Sequence, residues 1–503
     1  MSGSRRWQGR WSRAGVVLAI LLASAALRLH QVSIPGIWLD EAFSVLLSRL
    51  EPAQILFHTA RDVHPPLYYL TLHYWMQGFG SDALAVRSLS VCAGIATVGV
   101  GMLLARQLAS WRAAVMAGVL MAFFPMGIRF SQEARMYALL GLLLLTAVYM
   151  LWLWVSRQKK AYLAAYCLLM VAALYTHYFA VLGALANWVY LLLTRDAQGR
   201  VLALTRPWWL GNAAIAIAYL PWLPVLYRQL DHRELVGWIE RFPPSAMSMP
   251  STFWKAFTLN GSAPGVLAVL FTMFLLLASL RVLLRVSKPG QPSVLLLGYC
   301  FIPVLVVWLV SYAMPMYINR YLLFALLALP LVVAIAADVS PRRTLLLAVM
   351  GCLFMEVAGL AGFYDYKAKP GGDLATIMAQ VNAQWRPGDA LLGDRKRTYL
   401  SIQYYNATGQ PAFLFTYIRP DTSGTSPTTY GTLTLFYERS DVLYVANPED
   451  LAKHYKRLWL ITDPSSVYTP IVPVGGWMKT GELAEGPIKA LLFTVPEQAA
   501  RQP

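Results

Sequence analysis

The chain has 503 residues, 57% of them hydrophobic and 13% charged, whereas soluble domains run near half apolar and a quarter charged. That balance excludes a wholly soluble protein, and 17 Trp, 27 Tyr and 20 Phe exclude a disordered or collagen-like one. The net charge of +17 fits either a nucleic-acid binder or a membrane protein whose cytoplasmic loops collect Lys and Arg.

A membrane-crossing helix needs about 20 mostly apolar residues. In chain order, such stretches fall near 14–29, 86–105, 113–128, 137–155, 161–176, 178–194, 208–226, 264–284, 293–313, 321–338 and 343–362. They are apolar on all faces, unlike the one-sided helices of soluble cores. About eleven transmembrane helices are therefore expected. Ala23-Ser24-Ala25 has the small-residue pattern of a signal cleavage site, but the first span is expected to be retained.

Charge sets the direction. With the N-terminus in the cytoplasm, the inner loops are 5–13, 106–112, 157–160, 195–206, 281–288 and 341–343. They hold 17 Lys and Arg in 43 residues. The outer loops, 30–85, 127–136, 175–178, 227–263 and 314–320, hold 9 in 114. The asymmetry follows the positive-inside rule and accounts for much of the basic charge, so no nucleic-acid partner is expected. Cys92, Cys167, Cys300 and Cys352 all lie in apolar stretches without metal-ligand spacing.

Past residue 363 the apolar runs shorten to strand length: 389–394, 412–417, 442–449, 457–463 and 490–496. Helical patterns at 372–385 and 448–455 lie between them. The alternation predicts a small α/β domain. The expected organisation is a membrane domain over 1–362, with an outer loop 30–85, followed by an extracytoplasmic α/β domain over 363–503.

The chemistry-bearing residues gather on the outer side. Trp38-Leu39-Asp40-Glu41 puts two carboxylates where the chain leaves the bilayer. A carboxylate there can act as a general base, a metal ligand or a cation site, and it can equally be an ordinary charged helix exit. Next comes Asp62-Val63-His64-Pro65-Pro66, whose double proline stiffens the backbone beside His64. A short loop follows, Arg129-Phe130-Ser131-Gln132-Glu133-Ala134-Arg135-Met136-Tyr137. Charges at membrane depth tend to be paired or functional. Arg also carries a planar fork matched to phosphate oxygens, while pairing of Glu133 with Arg135 is the plainer alternative. His177 lies between spans five and six, and Arg320 opens span ten against the charge rule. Acids, arginines and histidines thus recur at one membrane level, as a site for an anionic, lipid-linked substrate would require.

Taken in order, Trp-Leu-Asp40-Glu41-Ala, His64-Pro-Pro-Leu-Tyr-Tyr, Ser-Gln-Glu133-Ala-Arg135-Met-Tyr and Arg320-Tyr resemble the bacterial family 39-like glycosyltransferases of the GT-C group. Relatives of that family include protein O-mannosyltransferases and the aminoarabinose transferases that modify lipid A. The resemblance implies an enzyme of the bacterial inner membrane. It would transfer a sugar, with inversion, from a polyprenyl-phosphate donor to a lipid, polysaccharide or protein acceptor outside the cytoplasm. It also implies Asp40 as catalytic base with Glu41 in support, and Glu133, Arg135 and Arg320 as donor-phosphate or acceptor residues. Location adds His64, Arg129 and His177 to that set. Some GT-C enzymes use a divalent metal and others do not; Asp40, Glu41 and Glu133 are the ligands one would use here. The Trp-Trp-Asp-Tyr-Gly motif of the oligosaccharyltransferase branch is not found in the sequence. The alternative reading is a transporter or flippase of lipid-linked sugars, which would bury ionisable groups mid-span. Glu356, inside span eleven, is the main residue of that kind. A non-catalytic scaffold with an outer sensing domain is a third.

Overall fold

The computed structural model describes residues 2–196, 198–231, 239, 243–261, 264–286, 290–369, 373–415, 431–439, 444–463 and 476–496. The ends of two expected strand runs, 416–417 and 442–443, lie outside them, as does Lys288 of an expected inner loop. The chain separates into two compact units. One is Met1–Val32, His64–Thr71 and Leu84–Tyr366; the other is Ser33–Val63, Leu72–Ala83 and Lys367–Pro503.

The first unit is helical. Among the described residues, eight helices are long and apolar enough to cross a membrane, and a ninth span exists if one bent pair is counted as one. Each of the eleven stretches expected from sequence is helical. Lys160–Leu174 and Ala180–Leu193, however, have only 15 and 14 residues. At 1.5 Å per residue they reach about 22 Å, short of a hydrocarbon core of about 30 Å, so the count of eleven is not established. The bent pair is Trp111–Phe123 with Pro125–Ser131, which meet at 56°. Pro125 has no N–H to give the carbonyl of Met121, and this breaks the ladder.

Asn319–Asp338 is the central span, 94% buried, whereas Ser12–Leu29 and Leu347–Ala368 are each 17% buried and lie at the periphery. The helix Leu329–Asp338 packs against Trp111–Phe123 and Gly265–Arg285. Its run of Leu, Val, Ala and Ile is buried on every side, which is why no amphipathic signal is seen there. The last helix, Arg342–Ala368, meets the first through Tyr364, whose hydroxyl donates to the carbonyl of Leu27.

The second unit is built on a six-stranded sheet in the order β3-β2-β1-β4-β6-β5. The strands are β1 (Asp389–Gly393), β2 (Phe413–Phe415), β3 (Tyr444–Val445), β4 (Arg457–Thr462), β5 (Met478–Glu485) and β6 (Ile488–Thr494). β3, β2, β1 and β4 run parallel; β6 is antiparallel to β4 and forms a hairpin with β5. The side chains alternate as a pleat demands. Leu391, Trp459 and Ile461 enter one core with Ile377, Met378 and Val381 of the helix Leu374–Gln384. Ala390, Leu392, Leu458 and Leu460 enter the other.

The stretch expected as an outer loop over 30–85 is largely helical: Leu39–Ser48, Pro52–Thr59 and Leu67–Phe79. Much of it folds with the sheet. Leu39–Ser48 packs on the helix Lys396–Tyr405. The Tyr405 hydroxyl accepts from the Ile37 amide at 2.6 Å, the Tyr404 hydroxyl donates to Ser81 O at 2.9 Å, and the Gly431 amide donates to Arg61 O at 2.7 Å.

Candidate functional site

In the first unit, the broken helix pair decides where the segment 129–137 lies. Bending at Pro125 strips partners from the last carbonyls of Trp111–Phe123. A buried arginine in the first span replaces them. Arg28 Nη1 donates to Ala122 O at 3.1 Å and to Ser24 Oγ at 2.7 Å, and its Nη2 donates to Met121 O at 3.3 Å. Its Nε donates to Ser131 Oγ at 3.3 Å. Gly94 makes room for this: a Cβ there would stand 2.1 Å from Ser131 Oγ and 2.9 Å from Arg28 Nε. The next residue, Gln132, donates to the carbonyls of Arg28 and His30, both at 2.8 Å. Ser90 Oγ then holds Arg135 O at 3.2 Å.

So anchored, the segment delivers Arg135 and Tyr137 into a buried cluster. Arg135 is 3% exposed and Tyr137 1%. Arg135 Cζ stands 6.0 Å from the centre of the Tyr137 ring, and Arg320 Cζ stands 5.9 Å from the same centre. Arg320 comes from the short 3-10 turn Asn319–Leu322 that opens the central span, and it also lies 5.5 Å from the Tyr321 ring. Arg135 Nη2 approaches His64 Nε2 at 3.5 Å. His64 and His177 have ring centres 5.7 Å apart, and His177 lies 5.2 Å from Tyr321 and 6.2 Å from Tyr137. Two hydrogen bonds position the histidines: the Leu67 amide donates to Tyr175 O at 2.9 Å, tying the two histidine segments together, and His177 Nδ1 accepts from the Phe179 amide at 3.1 Å.

An imidazolium has no acceptor nitrogen, so this last bond specifies neutral His177 with its proton on Nε2. The electrostatics agree. Burial, and then the charges of His64, Arg135 and Arg320, push His177 well below the usual histidine value. The result is an aromatic-walled cluster that holds two guanidiniums and two imidazoles.

Of the residues singled out by sequence, the structure therefore brings together His64, Arg135, His177 and Arg320. Arg129 lies apart from this set. Its side chain is half exposed, and its Nε meets Glu133 Oε1 at 3.8 Å one helical turn away. Asp40 and Glu41 belong to the second unit. They occupy the first turn of Leu39–Ser48, where a helix dipole favours carboxylates. Glu41 is fully buried and Asp40 partly so. The start of that helix is fixed at Gly36, where an added Cβ would fall 2.5 Å from Asp373 Oδ1. Among the described residues, no three His, Cys, Asp or Glu side chains are grouped to hold a metal ion.

Arg28, Tyr137 and Tyr321 were given no role from sequence. A lone arginine inside an apolar span is itself a flag, and Arg28 carried it. The tyrosines gave no signal apart from their neighbours.

Residues 63–225 match the family model described as dolichyl-phosphate-mannose-protein mannosyltransferase. That range includes His64, Arg129, Glu133, Arg135 and His177, and leaves out Asp40 and Arg320. The structure is similar to ArnT from Cupriavidus metallidurans in the apo state, with a TM-score of 0.65 at 15% identity, over 96% of this chain and 98% of that one. It is similar also to ArnT from the same organism bound to undecaprenyl phosphate, with a TM-score of 0.63 at 16% identity, over 97% and 99%. For the oligosaccharyltransferase AglB from Archaeoglobus fulgidus in complex with an inhibitory peptide and a dolichol-phosphate, the TM-score is 0.51 at 14% identity, over 90% and 70%. Among curated proteins there is no match.

Proposed function

We propose that this chain is a GT-C glycosyltransferase of the protein mannosyltransferase and ArnT type, which the family model over 63–225 and the ArnT-like fold support, and that it moves a sugar from a polyprenyl-phosphate donor to an acceptor outside the cytoplasm. The observation that carries this reading is the pair of guanidiniums about one Tyr137 ring, at 6.0 and 5.9 Å, inside a membrane-embedded unit. Two Arg forks match phosphate oxygens bidentately. The aromatic walls exclude water and strengthen that attraction. One solved relative holds undecaprenyl phosphate and another a dolichol-phosphate, which supports a lipid-linked donor.

The roles divide physically. As the glycosidic bond breaks, negative charge grows on the carrier phosphate. Arg135 and Arg320 stabilise that charge more in the transition state than in the ground state. Neutral His177 offers an Nε2–H donor without adding a third full charge. The acceptor hydroxyl is a poor nucleophile, and Asp40, with Glu41 beside it, removes its proton during attack. Direct displacement on the face opposite the phosphate inverts the anomeric carbon. The cell site we assign is the bacterial inner membrane, with the N-terminus cytoplasmic and the second unit outside.

Two features favour a transporter as the second reading: the broken helix pair and Glu356, fully buried inside a span with neither carboxylate oxygen hydrogen-bonded among the described residues. At the break, however, the carbonyls of Met121 and Ala122 are already taken by Arg28. The test is Asp40→Asn in detergent, where no gradient exists. General-base loss lowers turnover by about 10²–10⁴-fold while donor binding persists. Wild-type turnover in this variant removes Asp40 from the mechanism, and absence of transfer by the wild-type chain with every donor supports the transporter.

A further inference from the structure

A groove of about 430 Å³ runs between the helices Gly265–Arg285, Leu329–Asp338 and Arg342–Ala368. Its walls are apolar: Phe274, Leu277, Val333, Ala337 and Ala348 are among them. Leu277, Leu280 and Leu284 are exposed, so the groove opens where acyl chains would lie. One end is different. There Arg281, Arg285, Ser340 and Thr344 line it.

Arg281 is poorly satisfied. Among the described residues its hydrogen bond goes to Val339 O at 3.4 Å, and its buried Nε has no partner. The nearby carboxylate at the end of Leu329–Asp338 is already taken, since Arg112 Nε meets Asp338 Oδ1 at 3.2 Å. Among the described residues neither Arg281 nor Arg285 forms an ion pair with a carboxylate. A cation where a span ends attracts anionic lipid headgroups. An apolar groove with a basic end between spanning helices is the shape that receives a lipid tail below an anionic headgroup.

We infer that this groove binds an anionic phospholipid, its phosphate on Arg281 and Arg285 and an acyl chain against Phe274, Leu277 and Val333. The site is separate from the proposed donor site. Arg320 and Ser340 flank opposite ends of the span Asn319–Asp338, which at 1.5 Å per residue separates them by about 30 Å. The lipid therefore comes from the opposite leaflet, and the inference does not depend on the sugar-transfer reading.

The test is native mass spectrometry of the full chain in detergent, titrated with phosphatidylglycerol and, separately, with phosphatidylcholine. The wild type should retain phosphatidylglycerol preferentially. Arg281→Ala with Arg285→Ala should cut that retention by about tenfold or more. In case the double variant does not fold, photoactivatable phosphatidylglycerol is cross-linked to the wild type and the labelled peptides are mapped. Labels within 274–285 and 333–348 support the site. Equal retention of the two lipids, labels elsewhere, or unchanged retention by a folded double variant overturns it. So does displacement of phosphatidylglycerol by equimolar undecaprenyl phosphate, which would give the groove to the carrier instead.

Discussion

Tyr137 has two guanidiniums at about 6 Å from its ring, Arg135 from beside it in sequence and Arg320 from the distant central span. A ring quadrupole attracts each cation and so helps hold two like charges in one buried place before any phosphate arrives. Losing one charge-assisted hydrogen bond to a phosphate costs about 1.5–3 kcal/mol. Arg135→Ala should therefore lower kcat/KM for the donor by about tenfold to a hundredfold, with kcat falling too, read in steady-state transfer assays at fixed acceptor. Unchanged donor kinetics would remove Arg135 from phosphate binding. His177 adds a pH dependence. Its folded value lies well below the ordinary value of about 6.5, because burial and neighbouring cations disfavour the imidazolium. The unfolded chain thus binds the extra proton more readily. The stability from keeping His177 neutral is fully present above about pH 6.5 and is lost as pH falls below it. The apparent thermal midpoint should drop between pH 7.5 and 5.5, and His177→Gln should flatten that slope; an equally steep slope in the variant would assign it to other groups. At this scale the sequence was legible where a polar group interrupts an apolar run, as at His64, Arg135, His177 and Arg320. Tyr137 and Tyr321 were not, since a tyrosine near a membrane interface is ordinary and only the packed structure shows which cations share its ring.

The bent pair Trp111–Phe123 and Pro125–Ser131 shows how a single sequence element was read in the right place but with the wrong shape. A continuous span was expected over 113–128. The apolar periodicity there is real, and the break at Pro125 is tolerated because Arg28, from another helix, donates to the stranded carbonyls. That compensation is tertiary and leaves no local trace. Replacing Arg28 by Met would strand the carbonyls of Met121 and Ala122, at about 1–3 kcal/mol for each buried unsatisfied group. Amide hydrogen exchange across 121–135 should accelerate, with a lower apparent thermal midpoint; protection equal to the wild type would show that Arg28 does not hold the bend. In the second unit, five strand-length runs were expected and each contains a strand, because their side chains are buried. β5 went unseen since its residues alternate between exposed and half-buried, without an apolar run. The helix Lys396–Tyr405 was missed for a related reason: KRTYLSIQYY is polar in composition, yet Tyr399, Leu400 and Ile402 are fully buried.

For the whole molecule, local pattern gave the division into a multi-span membrane part and a small α/β part, but it read the chain as a line. The fold takes Ser33–Val63 and Leu72–Ala83 out of the supposed outer loop and assembles them with Lys367–Pro503. Bonds such as Ile37 amide to Tyr405 hydroxyl join residues more than three hundred positions apart, and no periodicity reports them. Asp40 is consequently carried by a helix that packs on Lys396–Tyr405, so the C-terminal residues help support the segment bearing the proposed base. The measurement that bears most directly on the whole account uses the purified full-length chain in detergent. It would be incubated with a panel of polyprenyl-phosphate sugars and candidate acceptors, and both lipid and acceptor products weighed by mass spectrometry. The account predicts that at least one donor yields free polyprenyl phosphate together with an acceptor heavier by one sugar, and that neither product forms when Arg135 and Arg320 are both replaced by alanine. Unaltered donor lipid across the panel, or equal product from the doubly substituted chain, would contradict it.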